Sequence, residues 1–551
     1  MNVVKIKKAL MEQKNLNLSG NLYCKTQTLF AYNSNKIEGS TTTLEETESI
    51  YDTGTILANE EKVIVIKDVT EIKNHFTLFK YMLDNVDEEL SIDMIKKFHY
   101  ILKEGTLTES EKSWFNVGEF KKLKNYVGNI ETSLPDNVSS DMEDLLLWYH
   151  NLTNITLEDI IEFHVKFLEI HPFQDGNGRV GRLIMFKECL KYNIEPLVTM
   201  FHFDLPAALE KKGGWSRRES VDEFVNFAKI LYENYGDRVK YWLTINEQNV
   251  LTLNGEVIGT CDLKGVDNKY KKLYQENHHM LLAQAKAMAL CHEMVPGGKI
   301  GPAPNISLVY PASCKPKDVL AAQNLNAIRN WLYLDMAVFG RYNNLVWAFL
   351  EEHDATPVIE DGDMDIMASA HPDFIGFNYY STATVEWNDG TEPAGRGDQQ
   401  ISGDEPGVFK AYPNPNLLRT EFGWEIDPDG FRATMREIYS RYHLPMIVTE
   451  NGLGAYDKLT EDGKVHDQYR IEYLRKHIEQ IKLACSEGVE MMGYCPWSAI
   501  DLVSTHEGVV KRYGFIYVNR DEFDLKDLAR YKKDSFYWYK KVIASNGEDL
   551  D

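Results

Sequence analysis

The sequence predicts a multidomain chain: an all-α unit over residues 1–195, then an α/β unit over residues 196–551 built on a parallel sheet. Three observations predict it. The 551 residues exceed what one hydrophobic core serves, and 43% hydrophobic content is enough to fill more than one. Up to about residue 193 apolar residues recur at helical spacing and strand signals are few. After Pro196 short apolar runs alternate with long helical stretches, the pattern of parallel strands joined by helical crossovers.

The first unit's clearest helix is TLEDIIEFHVKFLEI. Leu157, Ile160, Ile161, His164, Phe167 and Leu168 fall on one face, and Thr156 with Asp159 makes a start resembling a capping box. Asn129–Asn137 (NIETSLPDN) is the main turn-rich interruption and reads as a hairpin or flap. In the second unit the strand candidates are LVTMF, YWLTIN, ISLVYP, FIGFNYY, PMIVTEN and MMGYCPW. Between the units LKYNIEPLVT carries no linker composition; Asn193 to Pro196 is the expected boundary.

Composition removes several function classes. With 60 Lys+Arg against 84 Asp+Glu the net charge of −24 repels nucleic acid and anionic membranes, so neither is an expected partner. The 7 cysteines are scattered without C-x-x-C spacing and read as reduced packing residues. No signal-peptide core or long apolar span occurs, and a cytoplasmic location is expected. His278, His279 and His292 lack metal-ligand spacing and read as structural.

Residues 171 to 182, HPFQDGNGRVGR, follow one helical pattern and open another. Glycines on either side of an asparagine let successive backbone N–H groups turn toward one point, where the next helix adds positive charge at its N-terminus. Arg179 and Arg182 share a helix face and suit phosphate oxygens. Asp175 is a candidate Mg²⁺ ligand, and His171, titrating near neutrality, a candidate base. The set describes phosphoryl or nucleotidyl transfer. It resembles the Fic family signature H-x-F-x-D/E-G-N-G-R-x-x-R at every fixed position. The resemblance implies ATP and Mg²⁺ as cofactors and transfer of AMP to a hydroxyl of a target protein. It makes His171 the general base, Asp175 the metal ligand, Gly176, Asn177 and Gly178 the phosphate nest, and Arg179 and Arg182 the clamps. SNKIEG (Ser34 to Gly39) resembles the family's inhibitory motif S/T-x-x-x-E-G/N, which implies that Glu38 pairs with Arg182 in place of the γ-phosphate. GEFK (Gly118 to Lys121) resembles the stretch ahead of the family's flap, here Tyr126 to Pro135.

TINEQ and VTENG each end a strand-like run on a Glu, Glu247 and Glu450. In a parallel barrel that end carries the chemistry, and two carboxylates on separate strands suit retaining glycoside hydrolysis. With HFDLP, GGW, IGFNYY and the final tryptophan strand, these motifs resemble family 1 glycoside hydrolases from Pro196 to the C-terminus. The resemblance implies a TIM-type barrel, Glu247 as acid/base, Glu450 as nucleophile, and His202, Asn246, Asn378, Tyr380 and Trp497 against the sugar. Phe203 and Gln248 depart from the commoner Trp and Pro, as in the family's phospho-sugar branch. In DLVSTHEGVVKRYG, Ser504, Lys511 and Tyr513 offer a hydroxyl, an ammonium and a phenol to a phosphate. Their spacing resembles 6-phospho-β-glucosidases and implies a phosphorylated β-glucoside as substrate.

Family 1 barrels begin with two βα units before the H-x-D-L-P strand, and the Fic pattern already uses residues 1–193. The second unit is therefore expected to lack its first two βα units, and with them a Gln that binds sugar and an Arg that keeps the nucleophile ionised. Fic cores likewise continue beyond the signature helix. The chain reads as a composite with both parts truncated at one junction. Its glycosidase is expected to be impaired, and its open barrel edges are expected to favour self-association.

Overall fold

The computed structural model describes the chain except residues 1–2, 17–19, 57–64, 128–129, 153–154, 156, 193, 237–238, 259, 392–399, 401–402 and 506. Two compact units are present: Met1–Pro196 with Asn234–Lys240, and Leu197–Glu233 with Tyr241–Asp551. Thr156, of the expected capping box, and Asn193, of the expected boundary, lie outside the described residues.

The first unit contains α1 (Val3–Gln13), α2 (Leu22–Ile37), α3 (Leu44–Asp52), α4 (Ile66–Asp84) and α5 (Ile92–Lys103), then a hairpin of β1 (Tyr126–Val127) and β2 (Ile130–Glu131). It continues with α6 (Val138–His150), α7 (Leu157–Ile170) and α8 (Asn177–Lys191). Side chains start the helices: Asn21 accepts from the Cys24 N–H, Ser91 from that of Met94, and Thr43 with Glu46 forms a reciprocal box. The hairpin falls in the segment read as a flap. Of NIETSLPDN, Asn129 lies outside the described residues, and Pro135–Asn137 forms a single 3-10 turn.

Helical spacing builds the core. Leu78, Phe79, Met82 and Leu83 of α4 join Ile95, Phe98 and Leu102 of α5 and Val180, Leu183 and Ile184 of α8 in one buried cluster. Full burial of each such side chain contributes roughly 1.5–3 kcal/mol. On α7 the buried stripe is Ile160, Phe163, Phe167 and Ile170, whereas Ile161 is exposed. This corrects the expected face: Ile161 lies about 100° around the helix from Ile160, and only the latter's side points inward.

In the second unit Leu197–Phe201, Tyr241–Asn246 and Lys299–Ala303 form one parallel sheet, and Ile375–Asn378, Met446–Glu450 and Met491–Tyr494 another. A parallel bridge between Asn305 and Asn378 joins them into a run of strands in chain order with helices between, the architecture of a parallel barrel wall. Among the described residues, Leu197–Phe201 and Met491–Tyr494 each pair with a strand on one side only. Five of the expected strands take wall positions, but ISLVYP does not. Its residues Val309–Pro311 pair with Ala383–Glu386 in a side sheet, and the wall strand is KIGPA, Lys299–Ala303. Gly and Pro are depleted from strands, which hides KIGPA from propensity. Gly301 is needed because a Cβ there would lie 2.4 Å from the Phe374 carbonyl oxygen. No helix is long and apolar enough to cross a membrane among the described residues.

Candidate active sites

The first site is the turn between α7 and α8. Asn177 closes it, its Oδ1 accepting from the Phe173 N–H at 2.8 Å and its Nδ2 donating to the Phe173 carbonyl at 2.7 Å. The side chain assigned to the nucleotide nest is thus buried and committed to the loop, and only the Asn177 backbone is left to serve the cradle. Gly176, at φ +86°, caps α8, whose first-turn N–H groups have no carbonyl one turn back and point at the mouth of the turn.

His171 stands at the start of this turn with φ +51°. Its Nδ1 lies 3.2 Å from the Leu168 carbonyl, which can only accept a hydrogen bond, so Nδ1–H donates and Nε2 is left as the proton acceptor. Burial pushes its pKa below the usual histidine range, opposed by that carbonyl and reinforced by the Lys121 charge, so the ring is neutral near pH 7. Lys121 is buried. Its Nζ donates to Asn125 Oδ1 at 2.7 Å, Thr132 Oγ1 at 2.7 Å and the Ile170 carbonyl at 3.0 Å. One ammonium therefore ties both ends of the hairpin segment to the residue before His171.

Behind the cradle lies a closed ring of alternating charge. Glu71 of α4 pairs with Lys103 of α5 and with Arg179 of α8. Asp175 accepts from Lys103 at 2.7 Å on Oδ2 and from Arg179 at 3.2 Å on Oδ1, and Oδ1 also takes the Gly176 N–H at 2.6 Å. Burial opposes ionisation of Asp175, but Lys103 and Arg179 outweigh it and hold the carboxyl well below the usual range. Arg179, read as a phosphate clamp, is buried and held by these carboxylates.

Arg182 faces α2. It donates to Ser34 Oγ at 3.1 Å, to the Ser34 carbonyl at 2.9 Å and to Glu38 Oε1 at 2.7 Å. The same Glu38 oxygen would be 2.3 Å from a Cβ on Gly178, so the carboxylate rests against the bare backbone of the α8 first turn.

The second site collects at the carboxyl ends of the wall strands. Glu247, at φ +46° and buried, accepts from Asn305 Nδ2 at 2.7 Å and from Asn378 Nδ2 at 3.0 Å. Asn378 also donates to Asn246 Oδ1 at 3.0 Å, and Asn246 Nδ2 lies 3.1 Å from His202 Nε2. Glu450 accepts from the Tyr380 hydroxyl at 2.6 Å, with His202 Nε2 3.8 Å from its other oxygen. Burial and the neighbouring Glu247 push the Glu450 pKa well above the carboxylate range, and the groups opposing this are the neutral donors Tyr380, Asn378 and Asn246. Trp497 stacks on His202 and packs against the cluster of Tyr380, Trp424 and Tyr513. Lys511 Nζ sits 3.5 Å from the Trp424 ring centre, and the Ser504 side chain lies near the Tyr513 hydroxyl.

All residues assigned to this second site are thus joined by contacts in one place. The sequence reading missed Asn305 and Trp424 here, and Glu71, Lys103 and the buried role of Lys121 in the first site. Only Lys121 carried a signal, within GEFK; the others are single residues on distant elements.

The model of glycosyl hydrolase family 1 matches residues 182–548, and that of the Fic/DOC family matches residues 89–189. The aryl-phospho-beta-D-glucosidase BglC of Bacillus subtilis is 47% identical over 401 residues, 70% of this chain and 83% of the relative. The phospho-cellobiase of Klebsiella oxytoca is 40% identical over 69% of this chain and 79% of its own length. A Thermotoga maritima family 1 glycoside hydrolase, solved with a cyclophellitol analogue, superposes with a TM-score of 0.59 at 32% identity, over 75% of this chain and 88% of that one.

Proposed function

The chain belongs to glycosyl hydrolase family 1 over residues 182–548 and carries a Fic/DOC domain over residues 89–189, and on that premise we propose that its first unit transfers AMP from ATP to a protein hydroxyl. The observation that carries this reading is the Glu38–Arg182 contact laid over Gly178, an acidic group lodged where phosphates belong. His171 Nε2 takes the proton of the target hydroxyl, whose oxygen forms the bond to the α-phosphorus while the bond to pyrophosphate breaks. The α8 N-terminus and Arg182, once Glu38 has left, hold the phosphates. As placed, Asp175 does not fit a divalent ion, because both its oxygens already carry cations. ATP labelled in the α-phosphate tests the reading: label on protein rises after Glu38→Gly and vanishes after a further His171→Ala. No label in Glu38→Gly would defeat it.

A second reading comes from the other unit. We propose that it accepts a phosphorylated β-glucoside, with Ser504, Lys511 and Tyr513 on the phosphate, and that hydrolysis is impaired. Supporting the substrate class are relatives named for phospho-β-glucosides. Supporting impairment is the setting of Glu450: burial and the neighbouring Glu247 raise its pKa, against the charge that a retaining nucleophile needs, and only the neutral donors Tyr380, Asn378 and Asn246 oppose them. We attribute this to loss of the first two βα units, and with them of the Arg one of them supplies; the one-sided pairing of Leu197–Phe201 and Met491–Tyr494 among the described residues supports that reading. Such edges also favour self-association, which size-exclusion chromatography measures. Release of nitrophenol from its β-glucoside 6-phosphate tests the activity; turnover as fast as in complete barrels would refute impairment.

A further inference from the structure

The ring behind the phosphate cradle is built around a lysine that no motif announces. The Lys103 ammonium is fully buried and lies between Glu71 and Asp175. Arg179 bridges the same two carboxylates from the other side, so within the ring every carboxylate oxygen meets a cation and the ring's own four charges cancel. Two carboxylates facing a buried cation is the donor arrangement of a divalent metal site. A buried ammonium is stable only where such partners repay its lost hydration, so Lys103 has no reason to leave unless another cation replaces it. Asp175 alone of the two acids is open: its side chain keeps 40% exposure, against 6% for Glu71. The ring therefore meets the cradle through Asp175, where Lys67 Nζ also lies 3.9 Å from its Oδ2.

We propose that Lys103 is a resident cation of this phosphate site, filling the position between Glu71 and Asp175 that a divalent ion would take. The centre is charge-balanced without metal and attracts free divalent ions weakly, and an arriving polyphosphate meets Lys67 and Arg182 on a neutral background. What the site binds rests on the nucleotide reading above; the occupancy of the ring does not, and its test uses no nucleotide.

The probe is Mn²⁺ alone, followed by electron paramagnetic resonance on the full chain. Wild type is expected to show no ion bound more tightly than about 1 mM at this place, and Lys103→Met to gain one at least about tenfold tighter. Lys103→Met combined with Glu71→Gln is expected to lose it again, because one carboxylate of the pair has lost its charge. Lys103→Gln, which keeps hydrogen-bond donors between the acids, is the milder variant and is also expected to bind more tightly than wild type. A wild-type site tighter than 1 mM that disappears in Asp175→Asn would overturn the proposal. So would a cooperatively melting Lys103→Met or Lys103→Gln with no gain in affinity.

Discussion

Glu38 and Arg182 meet at 2.7 Å across the first turn of α8, with the Glu38 oxygen over the one backbone position, Gly178, that has no side chain to exclude it. Ser34, one turn earlier on α2, holds the same guanidinium through its hydroxyl and its carbonyl. The end of a single helix thus supplies every contact of the lock. The lock covers the helix N-terminus that makes the cradle attractive to phosphate.

Charge, not bulk, is what the lock depends on. Glu38→Gln keeps the size and an acceptor but removes the charge, and AMP transfer is expected to rise about 5-fold or more, within the usual range of coupling between sites. Gly178→Ala should break the contact from the other side, since its Cβ would fall 2.3 Å from the Glu38 oxygen and 2.9 Å from Arg182 Nη1, and it should have no stimulating effect once Glu38 is Gly. Labelling that stays flat in both variants would mean that the contact holds nothing in check.

The sequence carried both sites as strings, HPFQDGNGRVGR and TINEQ with VTENG, because the chemistry requires fixed residue types at fixed local spacing. It carried the architecture as alternating periods. It hid KIGPA, whose Gly301 serves close packing against Phe374 and, with Pro302, costs it the composition of a strand. It also hid Glu71 and Lys103. They reach one point from helices whose residues are 32 apart, and Lys103 meets Asp175 across 72, separations that no local pattern encodes. Asn177 was legible as part of a motif but not as the clamp of its own loop, since a side chain's direction is set by tertiary packing.

Lys121 joins the hairpin to the catalytic turn, and burial pushes its ammonium down to about 8. Lys121→Met removes three hydrogen bonds and one positive charge near His171. A cation lowers a neighbouring histidine's pKa, so its loss is expected to raise that of His171, read by NMR titration of the ring. Faster amide exchange in the hairpin should accompany it. A purely structural lysine would loosen the hairpin and leave the His171 titration where it was.

His75 makes the first unit acid-sensitive. It is fully buried on α4, and neither ring nitrogen has a hydrogen-bond partner among the described residues. Burial, with the Arg179 and Arg182 charges adding to it, lowers its pKa from 6.5 to about 3. Below 6.5 the unfolded chain holds a proton that the folded chain refuses, so this contribution to stability is present above 6.5 and falls as the pH drops toward about 3. The loss is roughly 1.4 kcal/mol per pH unit inside that window. His75→Leu should remove about one proton from the pH slope of α4 amide protection between about pH 6.5 and 5. An unchanged slope would assign the acid sensitivity to other groups, such as His99, which burial also lowers to about 3.

Glu450 sets the pH dependence of whatever glycosidase activity survives. Burial and the neighbouring Glu247 raise its pKa, so the ionised fraction, and the rate with it, climbs as pH rises through the range where the pair titrates. A nitrophenyl leaving group departs without a proton, which keeps Glu247 from masking the effect. Release from the nitrophenyl β-glucoside 6-phosphate, followed from about pH 5 to 8, is therefore expected to rise with pH, by at most about tenfold per unit. Tyr380→Phe removes the hydroxyl that donates to Glu450 at 2.6 Å and favours its charge, so it should shift this rise to higher pH and lower the rate at neutrality. A rate independent of pH across that range, or a profile that Tyr380→Phe leaves in place, would show that Glu450 is ionised by some other group and that its burial is not what limits the unit.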